Sequence, residues 1–151
     1  MVKFGKFIQD VAIYFYNNQF FVASESELPP IYASINIPPL YIASKENPEN
    51  LTKAIDQARL NSKTKEQLTG TDLNSLEFTK EENKVMENAS NFWTISWEEN
   101  GDANLTEWEL WPQDESFQGK AWRPKKFGSI LLHKAVKIND IAQWLTQQVA
   151  C

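Results

Sequence analysis

The sequence predicts an α+β fold, a mainly antiparallel sheet built from hairpins and packed with two or three helices in a single domain spanning 1–151. Two hairpin signatures and one well-capped helix carry that expectation. Residues 10–17 and 19–24, rich in aromatic and β-branched side chains, flank Asn17-Asn18, and asparagine tolerates the positive φ of a tight turn. Residues 92–99 and 104–111 bracket Asn100-Gly101, a stronger signal of the same kind. Between these pairs, Asn47 offers an N-cap and Pro48 a first-turn proline to a helix over 48–60. Its Leu51, Ala54, Ile55 and Ala58 fall on one face, which marks a core stripe.

The remaining elements follow in chain order. Two phrases beginning with paired prolines, at 29–34 and 38–44, each read as a short extended run starting at its prolines. Residues 61–78 turn polar and read as a long, flexible loop. Thr79 and Glu82 form a capping box that opens a short helix to about Asn88. In the second hairpin Trp93, Ile95 and Trp97 share a face, while Leu105, Glu107 and Glu109 oppose Thr106, Trp108 and Leu110. Pro112 ends that hairpin, 113–126 reads as a loop, and 128–133 as a buried strand. A last helix over 140–149, capped by Asn139 or Asp140, closes the chain with Ile141, Trp144, Leu145 and Gln148 along one side.

Composition narrows the functional classes. With 151 residues, 42% apolar and 23% charged, the chain suits one globular domain with a real core. Its formal net charge of −5 disfavours generic nucleic-acid or anionic-membrane binding, which reward positive charge. No apolar run approaches the roughly 20 residues that span a bilayer. No signal peptide is legible, since Asp10 and then Asn17-Asn18-Gln19 interrupt the first apolar stretch. The one cysteine, Cys151, has no intramolecular partner, and a cytoplasmic location is the expectation.

Catalytic patterns are sparse. His133 is the one histidine and sits in an apolar run, where a structural role is the commoner outcome. Cys151 lacks a scaffold to tune its thiol, and the five glycines are too scattered for a phosphate-binding loop. No calcium-loop spacing is present, so neither metal nor cofactor is expected, and the chain is read as a non-enzyme.

Carboxylates are the abundant chemical group. Glu98, Glu99, Asp102, Glu107, Glu109, Asp114 and Glu115 lie in the second hairpin and its exit with no intervening Lys or Arg. The plain reading is a solvated strand face. The functional one is a partner-binding surface, with Trp108 and Trp111 as aromatic anchors and the carboxylates steering a basic partner. A pair of these acids beside tryptophan could also hydrolyse a glycoside, although nothing selects one pair. The basic cluster Lys120, Arg123, Lys125 and Lys126, with Trp122 and Phe127, suits single-stranded nucleic acid or salt bridges to the acidic hairpin.

The chain resembles the immunity proteins of bacterial contact-dependent growth inhibition systems. The residues that carry the resemblance are Phe4-Gly5-Lys6-Phe7 before the first strand pair, the helix phrase from Leu51 to Ser62, the Lys126-Phe127-Gly128-Ser129 stretch and the C-terminal helix. The helix phrase departs from that pattern in having Asn50-Leu51-Thr52 where a Leu-Gly pair is expected. The resemblance implies a cytoplasmic monomer binding a cognate, basic, nuclease-type toxin domain 1:1 and blocking its active site or substrate groove. The alternatives are a toxin-unrelated adaptor or chaperone and, less well supported, a nucleic-acid-binding module.

Overall fold

The computed structural model describes residues 7–28, 33–62, 77–98, 100–110, 122–133 and 135–150. Strands β1 (Phe7–Tyr16) and β2 (Gln19–Leu28) form the first hairpin. Asn17 and Asn18 both take positive φ, 49° and 65°, which matches the twist of the flanking strands. Strand β3 (Ala33–Ser44) follows, then helix α1 (Pro48–Asn61) and helix α2 (Lys80–Asn88). Strands β4 (Asn91–Glu98) and β5 (Ala103–Leu110) make the second hairpin, with Gly101 at a φ of 94° in its turn. Strand β6 (Trp122–Leu132) and helix α3 (Ile138–Gln148) complete the chain.

The helix starts obey the capping logic read from sequence. The Asn47 side chain accepts from the Glu49 and Asn50 amides, and Thr79 and Glu82 close a reciprocal capping box. Helix α3 begins two residues earlier than expected. Asp140 sits in its first turn and accepts the Lys137 amide, so it caps from inside the helix.

All six described strands join one antiparallel sheet in the order β3-β2-β1-β4-β5-β6. Period-two alternation sends odd residues of β1 to one face and even residues to the other. On the first face Val11, Ile13, Phe20, Val22, Trp93, Ile95 and Leu105 meet Leu51 and Ile55 of α1 and Ile141 and Leu145 of α3. On the second, Tyr14, Phe21 and Phe92 pack with Val85 of α2, flanked by Trp108 and Trp122. The structure is therefore an α+β domain with helices on both faces of its sheet.

Three expectations are corrected. The second proline phrase does not start a run of its own: β3 is continuous from Ala33 through Pro38-Pro39, whose peptide is cis, and its register against β2 shifts there, while 29–32 of the first phrase lie outside the described residues. Residues 122–126 belong to β6 rather than to a loop. The stretch after Gly128 is a strand but not a buried one, because β6 lies at the sheet edge; Ile130 is 43% and Leu131 76% exposed. The expected loop is described only at its ends, since 63–76 lie outside the described residues.

Candidate protein interface

Alternation on β5 separates the anchors from the charges. Ala103 and Leu105 point into the helix-covered face that holds α1 and α3, and Glu107 and Glu109 continue that row. Trp108 points the other way. Its Nε1 donates to Thr94 Oγ1 at 2.9 Å, and its ring lies 5.7 Å from Phe92. Phe92 in turn stacks on Tyr14 at 4.7 Å and meets Trp122 edge-on at 5.4 Å. Trp108 thus serves the aromatic cluster of the second face, with its polar atom already satisfied.

The carboxylates next to it have partners across the β5–β6 ladder. Arg123 Nε donates to Glu109 Oε1 at 3.0 Å, and Lys125 Nζ donates to Glu107 Oε1. Arg123 and Lys125 of the basic cluster noted in the sequence therefore neutralise both carboxylates of β5. Glu98 and Asp102 sit together at the hairpin turn, where the Glu98 amide donates to the Asp102 carbonyl and Asp102 Oδ2 accepts from Asn100. Glu99, Trp111, Asp114 and Glu115 lie outside the described residues.

The β6 side also carries apolar surface that sequence reasoning missed. Leu105, Ile130, Leu132, Val136, Ile141 and Trp144 line a groove of about 220 Å³ between β6 and α3, with Asp140 beside them. Val136 is 39% exposed beside the exposed Ile130 in this groove, and Leu131 is exposed on the opposite face of β6. A signal was available: the last strand of a chain of hairpins ends at an edge unless a later strand covers it. A smaller groove of about 150 Å³ lies on the second face between β3 and α2, lined by Phe21, Leu40, Ile42, Val85 and the carboxylates Glu81 and Glu82. Glu82 is held in its charged form, below the usual carboxylate range, because hydrogen bonds from Thr79 and Leu40 outweigh its desolvation.

His133 is exposed, and its Nδ1 accepts the Ala135 amide, as befits a strand-end residue. One carboxyl is strongly perturbed. Burial, and secondarily the charge of Asp10, pushes Glu25 up to about 7. Burial likewise raises the neighbouring Tyr14 to about 12, against the Asn36 amide that donates to its hydroxyl at 2.7 Å. Glu25 lines neither groove, so its raised pKa is explained by packing.

No protein-family model matches the chain, and no curated protein sequence matches it. A solved structure does: a protein of unknown function from Neisseria meningitidis, at 13% identity and a TM-score of 0.66, with 99% of this chain and 98% of that one covered. That likeness establishes the fold across the whole described chain.

Proposed function

We propose that the chain works by binding another protein, as an immunity protein that occludes a nuclease-type toxin domain and performs no chemistry of its own. The observation that carries the binding half is the exposed Ile130 and Val136 at an apolar groove, with exposed Leu131 on the opposite face of the same sheet edge. Side chains of this kind gain most of their hydrophobic free energy only when a partner covers them. The toxin half rests on the resemblance of residues 4–7, 51–62 and 126–129 to contact-dependent immunity proteins. In this reading the β4–β5 turn, with Glu98 and Asp102, forms the acidic rim that faces a basic toxin in place of its phosphate-rich substrate. The toxin meets the chain 1:1 in the cytoplasm. No helix among the described residues is long and apolar enough to cross a membrane.

Growth rescue tests it. The product of the adjacent upstream gene is expressed with and without this chain; neutralised toxicity and a co-purifying complex support immunity, and a toxic neighbour left unneutralised sinks it. Exchanging the ladder partners (E107K with K125E, E109R with R123E) then keeps both ion pairs while moving their charges. Weakened binding supports contact along β5, and unchanged binding puts the toxin elsewhere.

A further inference from the structure

Bond parity identifies which backbone groups of β6 are spoken for. The Glu98 amide donates to the Asp102 carbonyl, so 98 and 102 form a hydrogen-bonded pair of the β4–β5 hairpin. Alternation then directs the backbone of Asn104 and Thr106 toward β4 and that of Ala103 and Leu105 toward β6. The register pairs Ala103 with Leu132 and Leu105 with Ile130. Ile130 and Leu132 therefore give their amides and carbonyls to β5, whereas Ser129 and Leu131 aim theirs outward. Both of these residues are exposed, and no described strand pairs with that edge.

The two halves of β6 differ in how well they are guarded. Pro124 lacks an amide, and Lys125 and Lys126 follow it, which are the usual protections of an edge. The opposite edge, β3, carries Pro38 and Pro39. From Gly128 to Leu132 no such device is present, and each face there shows one exposed large apolar side chain, Ile130 on one and Leu131 on the other. A row of donors and acceptors that no described strand pairs, flanked by apolar Ile130 and Leu131, is complementary to another strand, not to a helix or a small molecule.

We propose that this half of β6 accepts an extended strand from a partner protein, apolar at alternate positions and bearing carboxylates at its ends. The inference rests on the protein-binding reading above and names the backbone groups that make the contact, Ser129 and Leu131. Charge selects a heterologous strand over a second copy of this chain. Residues 126–139 include Lys126, Lys134 and Lys137 but no Asp or Glu, while Arg123 and Lys125 already pair with Glu109 and Glu107. Antiparallel self-pairing runs that cationic stretch against itself, and like charges facing each other across strands oppose pairing. The apolar groove under Ile130 and Leu132 takes one inward side chain of the incoming strand.

The test uses the full chain and a synthetic peptide of the form DEVTVTVED, with KRVTVTVRK as its charge-reversed counterpart. Amide exchange is followed by NMR on adding the acidic peptide. Slowed exchange at Ser129 and Leu131, with little change at Ile130 and Leu132, is the expected result. Leu131→Pro removes one outward amide and spares the β5 ladder, so it weakens peptide binding about fivefold to tenfold or more, whereas Leu131→Thr, which keeps the amide, weakens it less. Equal effects of the two variants, or protection with the opposite parity, overturn strand addition. Equal binding of the two peptides overturns the acidic partner, and a wild-type dimer that L131P turns into a monomer identifies a second copy as the occupant. Growth rescue without peptide binding leaves immunity standing and refutes only this contact, and peptide binding without rescue does the reverse.

Discussion

Ser62 shows how one hydroxyl can finish a fold. It accepts the Asp10 amide at 3.0 Å and donates to the Glu25 carbonyl at 2.6 Å, standing where the β1–β2 pair Asp10–Glu25 makes its ladder contact. It also ends α1, so the same residue couples the helix to the sheet. Ser62→Ala removes that bridge, and a loss of about 1–2 kcal/mol in urea unfolding is expected. Nearby, Glu25 has a folded-state pKa raised from 4.5 to about 7. The folded chain then binds the proton more tightly than the unfolded one, so this group's contribution is unchanged below about 4.5 and turns against the fold as pH rises toward 7. Glu25→Gln is expected to be the more stable protein at pH 8, by no more than about 3 kcal/mol, with the gap closing in acid. A gap that does not vary with pH refutes the burial account. Neither effect was legible in the sequence, because the Ser62 bridge joins residues 52 and 37 positions apart and the Glu25 shift depends on burial that only the folded chain creates.

At the scale of elements, β6 decides where the proposed interface lies. Its register against β5 shifts between Thr106 and Trp108, and Gly128 closes the irregularity. A Cβ there would stand 2.9 Å from the Glu107 carbonyl oxygen and 2.9 Å from Lys125 Cβ, closer than atoms tolerate. Gly128→Ala must therefore push β6 away from β5, at a cost of about 1–3 kcal/mol, and disturb the Glu107–Lys125 pair. Thermal unfolding checks the first effect, and side-chain NMR of Lys125 the second. The hairpins and capped helices were legible because local chemistry fixes them: Asn17-Asn18, Asn100-Gly101, Asn47-Pro48 and the Thr79–Glu82 box all perform as their residue types predict. The position of β6 was not legible. A run such as Gly128–Leu132 has the same composition at a sheet's centre and at its edge, and only topology distinguishes them. The same limit applied to Trp108, whose strand parity was visible but whose partners Thr94 and Phe92 were not.

At the scale of the molecule, one sheet carries two apolar faces of unequal depth. The face under α1 and α3 holds Leu51, Ile55 and Leu145, all fully buried, while the face under α2 is smaller and mainly aromatic. Because β1 contributes to both through alternate residues, the two faces unfold together. Leu51→Ala, at about 2–5 kcal/mol, and Phe92→Ala, at about 3–5 kcal/mol, are each expected to lower a single transition. Two resolved transitions would contradict a shared sheet. The β5–β6 side gathers exposed apolar side chains, a backbone edge that no described strand pairs and the Glu98–Asp102 turn. Amide hydrogen exchange across the whole chain, free and bound to the product of the adjacent upstream gene, tests this arrangement most directly. Protection concentrated at 128–136 and at the 98–102 turn is the predicted result; protection confined to β3 and α2, or none at all, would contradict it.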